Sequence, residues 1–307
     1  MSILQTGRIL VVAFEGWNDA GEAASGAAKV IARELQADVV AAIDTEDYYD
    51  FQFSRPMVSF DENGLRQLSW PTTEFYAPGV EVVQAQPQQA RVHVLVGVEP
   101  SRRWKAFTGE VLEMIEDREI DAVIFLGSLL ADVPHTRAIA TTITSQNAGL
   151  RAELDFEKSD YEGPVGILSV LGMALEAAGT PTISIWASVP HYAHTPPVPK
   201  ASLAVLVQVE QARMERASRQ GDRDAALALG RIHQAIAEAN AAAAQANAAA
   251  AQNNQPPPFP QVQQGVPTWV WVAGGVTLAV AAIAVTYAVA SRGQDRGDYG
   301  RDDRRGR

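Results

Sequence analysis

Short apolar runs alternate with amphipathic stretches over residues 8–200, and this alternation limits the folds that the chain can adopt. Several runs are continuously apolar, as is typical of strands that helices cover on both faces. Strands that alternate with helices predict an α/β fold, a three-layer α/β/α sandwich around a mostly parallel sheet. The predicted strands are Ile9–Phe14, Val39–Ile43, Arg91–Val98, Ala122–Leu126 and Thr182–Trp186. The predicted helices are Ala20–Leu35, Trp104–Glu119, Thr136–Gln146, Val165–Ala178 and Lys200–Arg219.

Residues 47–83 interrupt this alternation. Aromatic side chains crowd among turn-forming residues in this stretch: Tyr48, Tyr49, Phe51, Phe53, Phe60, Trp70, Phe75 and Tyr76. Such a mixture does not have the period of a helix and is too irregular for one long strand. We therefore predict an excursion of short strands at an edge of the sheet.

Charge and composition exclude several functions. Residues 1–200 carry 27 acidic and 14 basic side chains, and the whole chain has a formal net charge of −11. An acidic domain repels phosphate backbones, so no nucleic-acid partner is expected. The chain has no cysteine, which excludes disulfides and thiolate catalysis. Its five histidines lack the spacing of a metal clamp on a helix, so we predict no metal site and no cofactor.

The first predicted strand joins the first predicted helix through Phe14–Glu22, the usual place for a phosphate cradle. The segment has neither the lysine of a P-loop nor a GxGxxG pattern, and Glu15, Asp19 and Glu22 would repel a phosphate. Asp19 and Glu22 instead have the spacing of a capping box, in which Asp19 caps the first free amides of the helix. We favour a structural corner with Trp17 packed across it over a nucleotide site.

A carboxylate and an imidazole lie three residues apart in Asp132-Val-Pro-His135, after the apolar strand Ala122–Leu126. One interpretation is hydrolytic: Asp132 orients His135, which acts as the base, and Ser128 is the nearest nucleophile. The chain has no GxSxG nucleophile elbow to support it. In the other interpretation, Asp132 and His135 cap a helix that begins after Pro134. Geometry is needed to decide between the two.

Four polar and aromatic segments are expected at one edge of the sheet, because strand ends in parallel sheets meet there. Three of them follow the first, fourth and fifth predicted strands, and the other one leads into the helix that starts at Val165. A polar and aromatic surface suits a pocket or a protein interface. The candidate binding residues are Trp17, Asp19, Asp132, His135, Arg137, Tyr161, Glu162, His191 and Tyr192.

The composition changes beyond residue 215. Residues 1–215 form the predicted α/β domain, 216–251 an Ala-rich helical tract, 252–265 a Pro/Gln-rich linker and 291–307 an Arg/Asp-rich tail. Residues 266–290 contain no charged side chain, with Trp269 and Trp271 near one end and Tyr287 near the other. A membrane-spanning helix needs about 20 apolar residues, and aromatic residues favour its interfaces. We predict one transmembrane helix over 266–290.

Four segments together resemble the proteasome assembly chaperone family, in its actinobacterial branch. They are Gly16-Trp-Asn-Asp-Ala-Gly21, Ala131-Asp-Val-Pro-His-Thr-Arg137, Tyr161-Glu-Gly-Pro-Val-Gly166 and Trp186-Ala-Ser-Val-Pro-His-Tyr192. The resemblance covers roughly residues 8–210 in order and spacing. Residues 216–307 replace the acidic helical region that follows in that branch, so the resemblance implies nothing about them.

The resemblance implies a phosphorylase/hydrolase-like α/β/α sandwich that self-associates, and eukaryotic relatives help to assemble proteasome α-rings. It predicts a non-enzymatic assembly chaperone or scaffold with protein partners, proteasome subunits among them, and a homo-oligomeric state. Together with the predicted helix at 266–290, it places a cytoplasmic domain on the cell membrane through a C-terminal single-pass anchor. The alternative is a hydrolase or small-ligand-binding protein that uses the Asp132/His135 loop.

Overall fold

A computed structural model describes residues 2–85 and 91–219 of the chain. The helices are α1 (Ile3–Thr6), α2 (Ala23–Glu34), α3 (Val80–Ala85), α4 (Trp104–Asp117), α5 (Ala148–Leu154), α6 (Ile167–Ala178) and α7 (Pro199–Arg219). The strands are β1 (Ile9–Glu15), β2 (Asp38–Ile43), β3 (Met57–Phe60), β4 (Arg66–Ser69), β5 (Thr73–Ala77), β6 (Val92–Val98), β7 (Ala122–Ala131), β8 (Thr141–Thr144) and β9 (Thr182–Pro190). Met1–Arg213 forms one compact unit.

Seven of these strands form one sheet in the order β2-β5-β6-β1-β7-β9-β8. The four central strands, β6, β1, β7 and β9, are parallel to one another. Strand β5 is antiparallel to both β2 and β6, and β8 is antiparallel to β9. The order reverses at β1, because the chain adds β6 on one side of β1 and β7 on the other. The prediction of an α/β fold with a mostly parallel sheet is confirmed.

Helices pack on both faces of β1, whose side chains alternate between them. Leu10, Val12 and Phe14 belong to a buried cluster with side chains of α4 and α6. The intervening residues of β1 are also buried, and α2 packs against β1, β6 and β7. Alanines dominate the buried positions of α2, so this helix lies close to the sheet: Ala23, Ala24, Ala27, Ala28 and Ala32. The core therefore has two halves, one on each side of the sheet.

The helix predicted over Thr136–Gln146 is wrong. Residues 141–144 form strand β8, which pairs with β9 from Thr141–Ala187 to Thr144–Ser184. Three of its four side chains are threonine and the fourth is isoleucine, and these branched residues favour extended backbone. The hydrogen-bonding groups of β9 would otherwise be left at an open edge. The free edge of β9 therefore decides the conformation of this segment.

The strands β7 and β9 are longer than predicted. We expected them to end at Leu126 and Trp186, but they continue together to Ala131 and Pro190. Each extension supplies the backbone partners of the other, which apolar run length alone does not reveal. The loops that carry His135 and His191 therefore begin five and four residues later than the sequence indicated, at Asp132 and His191.

The excursion of short strands after residue 47 is confirmed in part. Strands β3 and β4 form a separate antiparallel hairpin, with Met57 opposite Ser69 and Phe60 opposite Arg66. Strand β5, however, lies inside the large sheet between β2 and β6 and not at its edge. The sequence did not reveal it as a strand of the large sheet, because it is only five residues long and lies between the hairpin and α3.

Within residues 2–85 and 91–219, no helix has the length and apolar character needed to cross a membrane. The helix predicted over 266–290, the linker 252–265 and the tail 291–307 lie outside the described residues. The Ala-rich tract 216–251 is described only as far as residue 219, where α7 ends.

Candidate functional site

The predicted site segments meet at the carboxyl edge of the sheet, where β1, β6, β7 and β9 end. Glu15, Ala131 and Pro190 are the last residues of β1, β7 and β9. The sequence order reverses at β1, and ligands of open α/β sheets are met beyond the strand ends at such a point. This placement agrees with the sequence prediction.

Tyr192 connects the two loops that follow β7 and β9. Its hydroxyl oxygen accepts a hydrogen bond from the His135 backbone N–H at 2.8 Å and lies 3.0 Å from the ring Nδ1 of His135. The Tyr192 ring makes edge contacts with His135 and His191, with centroid distances of 5.7 Å and 5.3 Å. The Nδ1 of His191 lies 3.9 Å from the Asp132 carboxylate. All four side chains are exposed, and their mutual contacts hold them in one arrangement.

Lys200, at the start of α7, fixes the loop after β7 from the other side. Its ammonium donates to the backbone carbonyls of His135 at 2.8 Å and of Arg137 at 2.6 Å. Burial lowers the pKa of Lys200, since the two carbonyls bring no compensating negative charge. Sequence reasoning missed this residue, because 63 positions separate Lys200 from Arg137 and no spacing pattern connects them.

Asp19 lies beneath this edge and is buried. Its Oδ1 accepts from the backbone N–H groups of Ala24 at 2.7 Å and Ser25 at 3.3 Å, which caps α2. Ser128 of β7, also buried, donates to the Ala20 carbonyl at 3.0 Å and lies 3.4 Å from Asp19 Oδ1. Burial raises the pKa of Asp19, and the hydrogen bonds from Ser25 and Ala24 offset part of that rise. The predicted capping role of Asp19 is confirmed.

The other half of the predicted capping box is wrong. The backbone takes left-handed angles at Gly21 (φ 64°) and Glu22 (φ 53°), so the helix that was expected from Ala20 is broken before α2 begins. Glu22 is exposed, and the Asp19 N–H donates to the Gly16 carbonyl and not to the Glu22 side chain. A short 3-10 turn over Ala20–Glu22 takes the place of the first helical turn.

Trp17 points to solvent. Its exposed fraction is 76%, so the prediction that it packs across the corner is wrong. The neighbouring Asn18 and Asp19 occupy the inward positions, each 6% exposed, and the Asp19 N–H bonds to the Gly16 carbonyl. An exposed tryptophan at the end of a buried strand costs free energy unless a partner covers it.

The remaining predicted residues are exposed at the same edge but belong to separate contacts. Tyr161 donates from its hydroxyl to the Pro164 carbonyl at 2.9 Å, and Glu162 is exposed beside it. Arg137 contributes its backbone carbonyl to Lys200, and its side chain is exposed. Among the described residues, no hydrogen bond or ring contact joins Tyr161 to the His135–Tyr192 pair.

The geometry does not assemble the hydrolytic group that the sequence left open. Asp132 lies next to His191 and not His135, and His135 Nδ1 faces Tyr192. Ser128 is fully buried and donates to a backbone carbonyl. The capping interpretation of Asp132 and His135 is wrong as well, because no helix begins directly after Pro134 and the next element of the described chain is strand β8. In the described part of the chain, no group of three histidine or acidic side chains could hold a metal ion.

What the edge presents is a set of exposed aromatic, imidazole and charged side chains on fixed loops. We call Trp17, Asp132, His135, His191 and Tyr192 the carboxyl-edge surface. Aromatic residues with polar neighbours are typical of protein interfaces. The fold and this surface together define an α/β protein with a mostly parallel sheet that exposes aromatic and charged side chains beyond the carboxyl ends of its strands.

The chain belongs to the PAC2 family, whose sequence model matches residues 13–244. This confirms the resemblance to proteasome assembly chaperones that four sequence segments indicated. A comparison with curated proteins finds no match.

Solved structures agree with this assignment. A Mycobacterium tuberculosis proteasome-assembly chaperone homologue is 39% identical, with a TM-score of 0.58, over 66% of this chain and 84% of that chain. A PAC2 family protein from Streptomyces avermitilis is 33% identical, with a TM-score of 0.57, over 91% of this chain and 98% of that chain. An archaeal homologue of proteasome-assembly chaperone from Pyrococcus furiosus is 16% identical, with a TM-score of 0.50, over 76% of this chain and 95% of that chain. At this identity the likeness shows the fold alone.

Proposed function

We propose that this protein is a non-enzymatic assembly chaperone or scaffold that binds partner proteins through the carboxyl-edge surface. The observation that carries the proposal is the exposed Trp17 beside loops that Tyr192 and Lys200 hold in place. Fixed loops lose little conformational entropy on binding, so such a surface favours a protein partner. Membership of the PAC2 family supports a chaperone-like role.

Proteasome α-subunits of the host are the proposed partners. The support is the 39% identical homologue from Mycobacterium tuberculosis, which bears the name of a proteasome-assembly chaperone homologue. A transient assembly contact suits this surface, since it offers a few exposed aromatic anchors within a polar surround.

The test is the affinity of the full chain for the host's proteasome α-subunits, measured for Trp17→Ala and Tyr192→Ala. Each should weaken binding about tenfold or more, as expected when an aromatic anchor is truncated. Met173→Ala is the matched control, because Met173 is 73% exposed on α6 and is not part of the carboxyl-edge surface. Unchanged affinity in both variants, or an equal loss in the control, would contradict the proposal.

The proposed location is the cytoplasmic face of the cell membrane, with 266–290 as the anchor. Support comes from the sequence: 25 residues without a charge lie between a Pro-rich linker and an Arg/Asp-rich tail. The full chain should remain in washed membranes after alkaline extraction, and a chain lacking 266–290 should be released. Release of both would refute the anchor and leave the chaperone proposal standing.

A further inference from the structure

Strand β7 extends past the strand that flanks it on one side. Its pairing with β1 stops at Phe125, whereas its pairing with β9 continues to Ala131. Beyond Phe125, the β1 side of β7 has a single isolated bridge, between Asp19 and Ser128. In the described part of the chain, no strand or bridge pairs with β7 on that side after Ser128. We call the backbone of Leu129–Ala131 on that side the open β7 edge.

The hydrogen-bonding groups of Leu130 face this open side. The Ser128 N–H donates to the Asn18 carbonyl at 2.8 Å on the β1 side, and the Ala131 carbonyl accepts from the His191 N–H at 3.1 Å on the β9 side. The backbone groups of successive strand residues alternate between the two sides, so Leu130 shares the β1 side with Ser128. Its N–H and C=O therefore offer a donor and an acceptor to one more strand.

Leu129 and Leu130 add apolar side chains to the open β7 edge. Their exposed fractions are 44% and 50%, and successive side chains of a strand point to opposite faces of the sheet. The end of β7 therefore projects beyond the helices that cover the two faces. A strand added here gains apolar contacts on both of its faces as well as backbone hydrogen bonds.

The segments that border the open β7 edge are acidic. They are residues 15–22 after β1, 132–140 after β7 and 159–166, which lead into α6 and end against the loop after β1. Their charged side chains are six acidic and one basic: Glu15, Asp19, Glu22, Asp132, Asp160, Glu162 and Arg137. Two cations come from elsewhere, but Lys29 pairs with a carboxylate and Lys200 donates to backbone carbonyls. Charge complementarity therefore favours a strand that carries basic residues.

We propose that the partner of the carboxyl-edge surface presents an extended segment that adds as a strand to the open β7 edge. The segment pairs with the N–H and C=O of Leu130 and places branched apolar side chains against Leu129 and Leu130. Its lysine or arginine residues face the surrounding carboxylates. In such contacts main-chain hydrogen bonds supply affinity and the side chains supply specificity. The inference rests on the proposed function for the presence of a protein partner and adds the form in which that partner is recognised.

The test uses the full chain and a fluorescent peptide of the proposed chemistry, Lys-Val-Thr-Val-Thr-Val-Lys, which is extended, branched and basic. The matched control peptide has the same sequence with methyl groups on its five central backbone nitrogens, so that it cannot donate to β7. Fluorescence anisotropy measures both affinities. We expect the methylated peptide to bind at least about tenfold more weakly, because it loses a main-chain hydrogen bond and cannot approach the edge closely.

Two substitutions at one position separate the backbone of β7 from its side chain. Leu130→Ala removes only the side chain, whereas Leu130→Pro also removes the N–H that faces the open side. Leu130→Pro should weaken peptide binding at least about tenfold more than Leu130→Ala does. It should keep the wild-type melting temperature, because β9 does not use this N–H. Leu129→Pro should lower the melting temperature, because its N–H faces β9.

The same variants, measured with the host's proteasome α-subunits, separate this inference from the proposed function. If Trp17→Ala weakens α-subunit binding but Leu130→Pro and Leu130→Ala bind alike, the partner adds no strand and the inference is overturned, while the proposed function stands. If the peptide binds in a way that depends on the Leu130 N–H but the α-subunits do not bind, the strand site stands and the proposed partner is wrong.

Three further outcomes would overturn the inference. The first is a wild-type chain that does not bind the peptide, and the second is equal binding of the peptide and its methylated form. The third is slow hydrogen exchange of residues 129–131 in the free full chain, because it would show that another segment of the chain or a second copy already covers the open β7 edge.

Discussion

His93 is a buried imidazole on the central strand β6, 9% exposed and next to the ring of Phe75. Burial, together with the positive charges of Arg8 and Arg118, lowers the pKa of His93 to about 4. The imidazole is therefore neutral in the folded protein at every pH near neutrality. Protonation of His93 would place a positive charge in the core near the guanidinium groups of Arg8 and Arg118, which opposes folding.

The stability of the domain should fall as the pH drops from 6.5 toward 4. In this window the unfolded chain protonates His93 and the folded chain does not, because the folded pKa is the lower one. The contribution of neutral His93 to the free energy of unfolding is fully present above pH 6.5. Below that pH it is lost progressively, by about 3 kcal/mol at most. His93→Gln should remove this part of the pH dependence of the free energy of unfolding, measured by urea denaturation.

His194→Gln is the control, because His194 is exposed. The His194→Gln variant should lose the same free energy of unfolding between pH 6.5 and 4 as the wild-type protein does. If His93→Gln retained the same loss between pH 6.5 and 4, another group would be responsible.

Helix α2 depends on a cap that lies outside its first turn. Asp19 reaches across the left-handed residues Gly21 and Glu22 to the N–H groups of Ala24 and Ser25. A carboxylate at this position accepts hydrogen bonds from free amides of the first turn, and its negative charge interacts favourably with the positive end of the helix dipole. Burial disfavours its charged form and raises its pKa, so we expect the hydrogen bonds to contribute more to the cap than the charge does.

Asp19→Ala should therefore destabilise the domain by roughly 1 to 2 kcal/mol, the usual loss on removing a helix cap. Asp19→Asn should lose less, because it keeps an oxygen acceptor for Ala24 and removes a buried charge. Thermal unfolding of both variants measures the difference. Equal losses would show that the charge of Asp19, and not its hydrogen bonds, stabilises α2.

Sequence reasoning at the level of elements succeeded where burial dominates. Strands β1 and β6 were found within a residue or two, because both faces of each are covered and the apolar run marks its length. The prediction of a helix for segment 141–144 was wrong because the local sequence does not reveal the strand with which this segment pairs. The unpaired backbone of β9 decides its conformation, and that partner is more than 35 residues away in the chain.

At the scale of the whole molecule, α7 completes the fold. Its buried side chains pack on the rest of the domain: Ala201, Val205, Leu206, Val207, Val209 and Ala212. Ser202 of α7 lies against Gly26 of α2, so these helices are in contact. The compact unit ends at Arg213, close to the domain boundary at residue 215 that the composition predicts.

A chain that ends at residue 219 should keep the melting temperature of the domain, and one that ends at residue 198 should not fold. Each buried Val or Leu of α7 contributes roughly 1.5–3 kcal/mol, and a domain of this kind has about 5–15 kcal/mol of stability in total. Calorimetry of the two truncated chains checks this. A cooperative transition in the shorter chain would show that α7 is an accessory to the fold.

The sequence by itself determined the α/β class, the parallel central strands and the membership of the family. These features depend on local sequence patterns, because apolar runs, turn residues and short segments such as Ala131–Arg137 each lie within a few consecutive residues. It also identified the residues of the carboxyl-edge surface, since strand ends in a parallel sheet meet at one edge.

Only the tertiary structure decided how those residues are arranged. The hydroxyl of Tyr192 serves His135 from 57 positions away, and the ammonium of Lys200 holds the loop around Arg137 from 63 positions away. Trp17 is exposed because its neighbours Asn18 and Asp19 take the inward positions. Contacts of this kind follow from the sheet order, which brings distant segments together, and no periodicity within a segment encodes them.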